Sequence, residues 1–324
     1  MAKPKVAFYW CASCGGCEEA VVDLHEKILE VVEAVDIVLW PVALDFKKSH
    51  IEAMKPGEIA VAFINGAVRL SENEEWVKLL REKSGLVVAF GSCAHMGGIP
   101  GLANYTTREA ILANKYFNAP TVDNKENVLP QPETKINGHA LELPRFWEDV
   151  KPLDEVIEVD CYLPGCPPPP DLIGSAVGAI LKGELPPRGS VLAPAKSQCE
   201  SCPLNESKPE KIAITEFKRL ATSSADPKTC FLAQGFVCLG PATRSGCGER
   251  CIRGNMPCRG CFGPPPQALD QGTKFLSSLA AMLQANTDEE ARAVADTIVD
   301  PLGTFYRFSL PKSLLRRRCE HKRT

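Results

Sequence analysis

The chain has 324 residues, a formal net charge of −3, and a composition of 44% apolar and 24% charged residues. These values are typical of a globular protein long enough for two domains. The acidic balance excludes a general nucleic-acid binder, which normally carries a basic surplus. The longest apolar run is about as long as that from Ile59 to Ile64, far below the roughly 20 residues of a membrane-spanning helix, so no membrane insertion is expected. No signal segment or twin-arginine pair precedes the first predicted strand, which predicts a cytoplasmic protein.

The first half of the chain alternates predicted strands with predicted helices. The predicted strands cover residues 5–10, 36–40, 58–64, 86–90 and 156–159, and the predicted helices cover 18–35, 71–83 and 171–181. Ser71, with Glu74 three residues later, forms a capping box for the second of these helices. Continuous apolar strands separated by helices are typical of a doubly wound, parallel α/β sheet. Residues 115–154, rich in Asn, Pro and charged residues, are predicted to leave this sheet as a long excursion.

The second half changes in character near Lys182, where Pro and Gly residues interrupt the periodic patterns. Eight cysteines then fall between Cys199 and Cys261, in a stretch with little aliphatic content. Such a segment is not expected to form a conventional core, so we predict that it folds around bound groups. Helical patterns at 267–285 and 288–299 would close this domain, and the basic tail at 316–323 is expected to be solvated.

The fifteen cysteines are the most unusual feature of the composition. A secreted disulfide scaffold is normally short and has an even number of cysteines, whereas this chain is long and its number is odd. In a reducing compartment the thiols would stay free, so grouped cysteines indicate metal or cluster ligands rather than disulfides. The composition therefore favours an iron–sulfur or zinc protein.

Six cysteines follow predicted strands of the first half. They are Cys11, Cys14, Cys17, Cys93, Cys161 and Cys166. Because the carboxyl ends of parallel strands meet at one edge of a sheet, these segments can bring four thiolates around one [4Fe–4S] cluster. Neighbouring glycines, among them Gly91 and Gly98, suit a backbone that packs close to a cluster. Two of the six cysteines are spare, and the alternative for such residues is a role as small buried apolar side chains.

The second half carries two further sets of four cysteines. The eight are Cys199, Cys202, Cys230, Cys238, Cys247, Cys251, Cys258 and Cys261. A zinc ribbon built from the pairs Cys199/Cys202 and Cys258/Cys261 is an alternative, but it leaves the other four cysteines without a role. Up to three clusters in one chain indicate electron conduction, because a series of clusters carries electrons from a buried site to the surface.

The first half resembles the small subunit of [NiFe]-hydrogenases in three motifs. They are Cys14-Gly15-Gly16-Cys17 after the first strand, Gly91-Ser92-Cys93-Ala94 in mid-domain and Gly165-Cys166-Pro167-Pro168 before a helix. The resemblance implies a flavodoxin-like domain at residues 1–185, with a proximal [4Fe–4S] cluster held by Cys14, Cys17, Cys93 and Cys166. Cys11 and Cys161 match no ligand position of that family.

The second half continues the resemblance through Cys238-Leu239-Gly240-Pro241-Ala242-Thr243, which is followed by Cys247. It implies an irregular iron–sulfur domain at residues 186–324 with two more [4Fe–4S] clusters. The distal cluster would be bound by Cys199, Cys202, Cys230 and Cys238, and the medial cluster by Cys247, Cys251, Cys258 and Cys261. No role is assigned to Cys319.

The all-cysteine ligand set and residues 255–264 resemble the cytoplasmic viologen-reducing and deazaflavin-reducing hydrogenases of methanogens and related anaerobes. The viologen-reducing type implies a large subunit with the nickel–iron centre, a small iron–sulfur subunit, and a heterodisulfide reductase-type flavoprotein that contains a flavin. A deazaflavin-reducing hydrogenase is the alternative within the same family.

In this interpretation the subunit itself performs no bond chemistry. Electrons from dihydrogen oxidation at the large subunit would pass through the proximal, medial and distal clusters to a partner. Glu18 and Glu19 either relay protons at the large-subunit face or simply favour a helix N-terminus. His95 either donates a hydrogen bond to the cluster or has an ordinary partner.

Two other classes of protein are alternatives. A quinone-reductase subunit of respiratory complex I shares the α/β domain and one cluster, but it lacks the cysteines that begin at Cys199 here. A zinc-binding interaction module without redox chemistry would contain a few zinc ions in place of iron and sulfide.

Overall fold

A computed structural model describes residues 3–184 and 187–316 of the chain. The strands in this part of the chain are β1 (Lys5–Trp10), β2 (Asp36–Leu39), β3 (Ile59–Asn65), β4 (Val68–Leu70), β5 (Ser84–Phe90), β6 (Glu133–Ile136), β7 (His139–Glu142), β8 (Phe146–Lys151), β9 (Cys161–Leu163) and β10 (Ser190–Val191). The predicted boundary between 185 and 186, Cys319 and most of the basic tail lie outside the described residues.

Six of these strands form one parallel sheet in the order β2-β1-β3-β5-β9-β10. The order of the first five is that of flavodoxin-like proteins, so the predicted fold class is confirmed. The central strands are apolar except at their ends, as expected for strands whose sheet is covered by helices on both faces. Phe8 of β1 lies opposite Phe63 of β3, and their rings stack with centroids 5.2 Å apart.

Twelve α-helices surround and extend the sheet within the described ranges. They are α1 (Gly16–Val22), α2 (Lys27–Ala34), α3 (Lys48–Glu52), α4 (Ser71–Lys83), α5 (Gly91–Met96), α6 (Arg108–Ala113), α7 (Pro170–Leu181), α8 (Gln198–Ser201), α9 (Arg250–Arg253), α10 (Gln271–Ala280), α11 (Asp288–Ala295) and α12 (Pro301–Phe305). In residues 3–184 and 187–316, no helix combines the length and the apolar character needed to cross a membrane.

The predicted helix at 18–35 is wrong as a single element, because the chain turns between α1 and α2. His25 adopts a φ of +54°, in the left-handed region that a continuing α-helix does not use. The amide of Asp23 donates the last helical hydrogen bond of α1 to the carbonyl of Glu19. The apolar periodicity therefore continues across a break in the backbone.

The strand predicted at 156–159 is also wrong, since these residues form a turn and irregular backbone and the strand begins at Cys161. Ile157 and Val159 are buried in the core, which explains their apolar pattern. Asp160 starts the pairing with β5: its amide donates to the carbonyl of Val87, and its carboxylate accepts from the amide of Val87 at 2.8 Å. Cys161 consequently lies inside the sheet rather than beyond it.

The start of α4 is fixed by Asn73 rather than by the predicted capping box of Ser71 and Glu74. The Asn73 side chain accepts from the amides of Arg69 and Leu70 at 3.3 and 3.1 Å. The Ser71 hydroxyl accepts instead from the amide of Arg145.

The excursion at 115–154 contains an exposed antiparallel hairpin of β6 and β7, followed by β8, which pairs with β4. This hairpin and β8 lie outside the parallel sheet, as predicted.

The second half has a hydrophobic core, contrary to the expectation that it folds around bound groups alone. Phe275 of α10 and Phe305 of α12 pack with rings 5.8 Å apart, and Phe231, Phe236 and Leu239 complete the cluster. Cys238 and Cys258 are buried in the same cluster. This core combines aromatic residues with aliphatic ones that are spread along the second half, such as Ile214, Leu279 and Leu310.

Candidate metal centre

Four thiols meet at the carboxyl edge of the parallel sheet. Cys14 and Cys17 lie in the loop after β1 and the start of α1, Cys93 lies in α5 directly after β5, and Cys166 follows β9. Burial raises the pKa of the Cys17 thiol well above its ordinary value, and the nearby sulfurs of Cys93, Cys166 and Cys14 raise it further. We call these four residues the proximal group, because they are the ones that the sequence analysis assigned to the proximal cluster.

Two glycines make room for the sulfur atoms of the proximal group. A Cβ atom on Gly91, whose φ is +86°, would lie 2.4 Å from Sγ of Cys17. A Cβ on Gly98, whose φ is +57°, would lie 2.4 Å from Sγ of Cys93. Both distances are far below van der Waals contact, and an L side chain rarely adopts either φ value. Glycine therefore lets the backbone pass close to these two sulfurs, as packing around a cluster with several thiolate ligands requires.

Cys11 and Cys161 lie apart from the proximal group. Cys11 is buried at the end of β1, where its amide donates to the carbonyl of Asn65 at 2.8 Å, and burial alone raises the pKa of its thiol. Burial, followed by the negative charge of Asp160, raises the pKa of Cys161 to about 11. Both behave as buried core side chains.

A second set of thiols lines a pocket of the second half. Cys199, Cys202, Cys230 and Cys238 all border this pocket, together with Leu204 and Phe231. Burial raises the pKa of Cys199 to about 12, the Cys238 sulfur raises it further, and Lys208 opposes the shift. These four cysteines form the distal group.

The remaining four thiols form the medial group: Cys247, Cys251, Cys258 and Cys261. Burial raises the pKa of Cys261 to about 12, and the sulfurs of Cys166, Cys247 and Cys251 add to the effect. Cys258 is buried, and after burial the Cys238 and Cys261 sulfurs raise its pKa most. The medial group therefore lies next to both other groups.

Backbone amides connect the three groups. The amide of Cys258 donates to Sγ of Cys238 at 3.3 Å, which joins the medial and distal groups. The amide of Cys166 faces Sγ of Cys261 and lowers its pKa against the effect of burial, which joins the proximal and medial groups. Ser92 adds a contact between the two halves of the chain, with Oγ 2.6 Å from the carbonyl oxygen of Cys261 and 2.8 Å from that of Gly165.

Three polar residues that support the thiols were missed in the sequence. Ser92 stands beside Cys93 in a motif but received no role of its own. The Cys247 thiol donates to Oε1 of the buried Gln198 at 3.2 Å. The Thr243 side chain faces Cys258 and lowers the pKa of that thiol against the effect of burial. Serine, threonine and glutamine are common in loops, so these residue types alone indicate no function. The only sequence signal that could have found these three residues is their proximity to cysteine motifs.

The two acidic candidates have different environments. Glu18 is only 2% exposed, and its carboxylate accepts from Nε1 of Trp40 and from Nδ2 of Asn65. Burial raises the pKa of Glu18, and these two hydrogen bonds oppose the shift. Glu19 is exposed on α1.

His95 is half-buried and packs against the ring of Tyr162, with centroids 4.6 Å apart. Burial lowers its pKa to about 3, so the imidazole is neutral at pH 7.

The donor set fits iron–sulfur clusters. Each group offers four cysteine sulfurs, the ligand type that [4Fe–4S] clusters use, and the cysteines of residues 3–184 and 187–316 are all free thiols. Among the described residues, no three His, Cys, Asp or Glu side chains are grouped so that they would hold a single metal ion. At Gly91 and Gly98 the backbone of the proximal group approaches the sulfurs of Cys17 and Cys93 more closely than a residue with a Cβ would allow.

Comparisons with known proteins identify relatives that match most of the chain. Residues 14–180 match the family model described as NADH ubiquinone oxidoreductase, 20 Kd subunit. The chain is 41% identical over 321 residues to the iron–sulfur subunit of the F420-non-reducing hydrogenase of Archaeoglobus profundus, covering 97% of this chain and 98% of that protein. It is 37% identical to the corresponding subunit of the F420-non-reducing hydrogenase of Methanothermobacter marburgensis, covering 97% of this chain and 96% of that protein.

The fold is shared with a solved [NiFeSe] hydrogenase from Desulfovibrio vulgaris Hildenborough, at a TM-score of 0.53 and 20% identity, covering 82% of this chain and 94% of that one. The quinone-reductase family accounts for the α/β half, whereas the hydrogenase relatives extend through the cysteines of the second half. The chain therefore belongs to the family of iron–sulfur subunits of F420-non-reducing hydrogenases, which are oxidoreductases.

Proposed function

We propose that this chain carries electrons from dihydrogen oxidation, which occurs at the nickel–iron centre of a partner large subunit, through three [4Fe–4S] clusters. In this proposal the proximal, medial and distal groups each bind one cluster, with the ligand sets predicted from the sequence. The observation that carries the proposal is the pair of amide contacts, Cys166 to Cys261 and Cys258 to Cys238, because they support a serial arrangement of the three proposed clusters.

When bound, the clusters would supply one-electron redox chemistry. The chain's own residues would hold and insulate them. Amides and hydroxyls that face the sulfurs, such as those of Cys258 and Thr243, stabilise negative charge on the ligands and so tune the potential. Burial of Cys17, Cys238 and Cys258 keeps water from the sulfurs.

The contacts between the three cysteine groups also support an order of electron transfer. The medial group faces Cys166 of the proximal group on one side and Cys238 of the distal group on the other. Electrons entering at the proximal group would thus pass the medial group before the distal group. This order matches an arrangement with the proximal cluster in a domain at 1–185 and the other two in a domain at 186–324.

We propose a cytoplasmic complex in which the final acceptor is a small iron–sulfur subunit and, beyond it, a heterodisulfide reductase-type flavoprotein. The names of the relatives support this choice over a deazaflavin-reducing hydrogenase, since they describe hydrogenases that do not reduce F420. The proton-relay role of Glu18 or Glu19 stays a prediction. Because the Glu18 carboxylate already accepts two hydrogen bonds, a structural role also explains its burial.

The test is the variant Cys258→Ala, assayed in the complex with the large subunit under anaerobic conditions. We expect isotope exchange between dihydrogen and water to persist, because that reaction needs only the large subunit. Dihydrogen-dependent viologen reduction should fall by at least about tenfold, and iron content should fall by about four atoms per chain.

Cys11→Ala is the matched control, since it removes a buried thiol that belongs to none of the three groups. It should retain iron and viologen reduction, with a modest loss of stability of about 1 kcal/mol. Unchanged iron content and viologen reduction in Cys258→Ala would remove the medial group from the route.

A further inference from the structure

A cavity lined by cationic side chains lies next to the residues that flank Cys238 of the distal group and Cys258 of the medial group. It has a volume of about 380 Å³ and is bordered by Phe236 and Val237 on one side and by Pro257 and Arg259 on the other. Three of these residues directly flank Cys238 or Cys258, the two cysteines joined by an amide–sulfur hydrogen bond. The cavity therefore adjoins the route assigned under the proposed function.

Four cations line this cavity: Lys218, Arg219, Arg259 and Arg307. In residues 3–184 and 187–316, none of them forms an ion pair with a carboxylate. Asp300 also lines the cavity, but its carboxylate accepts from the amide of Gly303 at the start of α12. The cavity thus carries a surplus of positive charge.

Arg259 and Arg307 both line this cavity and carry charges of the same sign. Two guanidinium groups in this arrangement are stabilised by a carboxylate or phosphate placed between them, since each presents a planar fork of donors.

The rim of the cavity is partly apolar and exposed. Val299 is 69% exposed and Met256 is 43% exposed, and Lys218 and Arg219 are exposed beside them. A protein segment would cover these side chains, whereas a small anion would leave them in water. Cations with adjacent apolar side chains suit an acidic segment that also presents apolar residues.

We propose that this surface, formed by Lys218, Arg219, Arg259 and Arg307 with the rim of Met256 and Val299, docks an acidic segment of the protein that accepts the electrons. The proposal rests on the proposed function for the identity of that partner as an electron acceptor. The docking proposal adds the place on this chain where the acceptor binds and the negative charge that the acceptor presents there.

The test uses the complex of this chain with its large subunit and an acidic [2Fe–2S] ferredoxin as the probe, at low ionic strength. The double variant Arg259→Gln/Arg307→Gln should raise the KM for ferredoxin at least about tenfold, because charge-assisted hydrogen bonds are lost. In a second double variant, Lys218→Gln/Arg219→Gln, whose residues flank no cysteine, viologen, a small cationic dye, should be reduced at the wild-type rate. The wild-type KM should rise with salt, and the variant KM should rise less.

Arg145→Gln is the matched control, since Arg145 is exposed in the other half of the chain and its loss removes a charge of the same sign. Its KM for ferredoxin should equal that of the wild type. If the first double variant does not fold, Lys218→Gln/Arg219→Gln removes two exposed charges of the same surface and should still raise the KM severalfold.

Three results would overturn the docking proposal. One is an unchanged KM for ferredoxin in both double variants. Another is tight binding of inorganic phosphate by calorimetry with no effect on the KM, which would make the cavity a small-anion site. The third is loss of the large subunit on purification of the variants, which would assign the surface to that interface. Failure of the wild type to reduce viologen would instead contradict the proposed function.

Discussion

Gly91 and Gly98 show how single residues shape the proximal group. At each position the backbone has a positive φ, and the missing side chain leaves space next to a cysteine sulfur. The sequence indicated these glycines as backbone that packs near a cluster. It did not indicate which sulfur each glycine faces, because that depends on how α5 and the loop after β1 meet across the sheet.

Gly91→Ala is predicted to impair the proximal cluster. Its Cβ would collide with Sγ of Cys17, and the positive φ adds strain of about 1–2 kcal/mol. We expect purified protein to lose about four irons per chain, as measured by iron and sulfide analysis.

Gly57→Ala separates the two effects. Gly57 has a φ of +74°, but a Cβ atom added there would have no neighbour within 4 Å, so the variant carries the backbone strain without the collision. It should lose about 1 kcal/mol of stability and retain its iron. Equal iron content in the Gly57 and Gly91 variants would show that the collision with sulfur is unimportant.

Individual strands and helices show where sequence patterns succeed. The apolar runs of β1, β3 and β5 predicted strands that the structure confirms, because strands buried on both faces need continuous apolar residues. The pattern failed at 156–159, where buried residues belong to a turn, and at His25, where a left-handed residue splits one amphipathic run into two helices. In both places tertiary contacts determine the backbone path, and hydrophobic periodicity in the sequence cannot predict those contacts.

Asp160 determines where β9 begins and gives a pH-dependent prediction. Burial alone would raise its pKa, but hydrogen bonds from Arg81, the amide of Val87 and Arg188 bring it below the ordinary value. A lowered folded-state pKa means that Asp160 contributes stability above its unfolded pKa of about 3.9 and loses it as pH falls through the folded value.

Asp160→Asn should therefore lower the free energy of unfolding by about 2 kcal/mol at pH 7, through loss of charge-assisted hydrogen bonds. The difference from the wild type should shrink below about pH 4. Denaturant unfolding at pH 7 and at lower pH measures both values. A difference that is constant with pH would show that the charge of Asp160 is not involved.

The cap of α4 gives a second prediction at this scale. Asn73→Ala removes the acceptor of the Arg69 and Leu70 amides and should lower the free energy of unfolding by about 1 kcal/mol. Glu74→Ala, which removes a partly exposed ion pair with Lys78 and a contact with Trp147, should lower the free energy of unfolding by a smaller amount. A larger loss for Glu74→Ala would restore the capping box predicted from the sequence.

At the scale of the whole molecule, the fold brings the three cysteine groups into contact, whereas the sequence predicted only which cysteines belong to each group. The spacing of cysteines after Cys199 suggested two sets of four, and the resemblance assigned their members. The contacts between groups, such as that of Ser92 with Cys261, were not predictable, because they form only when the second half packs on the α/β sheet. The hydrophobic core of the second half was missed for a related reason: its members are spread from Ile212 to Leu310.

Metal analysis of the intact chain tests the complete arrangement. Three [4Fe–4S] clusters require about twelve irons and twelve acid-labile sulfides per chain. We expect a brown, anaerobically purified protein with this content, measured by iron, zinc and sulfide determination. A colourless protein with stoichiometric zinc would support the zinc-binding alternative.

The distribution of the proximal group along the chain has a consequence for biosynthesis. Its thiols come from three separate strand ends, from Cys14 to Cys166, whereas the other eight cysteines are contained between Cys199 and Cys261. A nascent polypeptide cannot assemble the proximal group until Cys166 has left the ribosome and the sheet has closed. Under the proposed function, iron would then reach that position only after the sheet has folded, whereas the later cysteines would form a local unit.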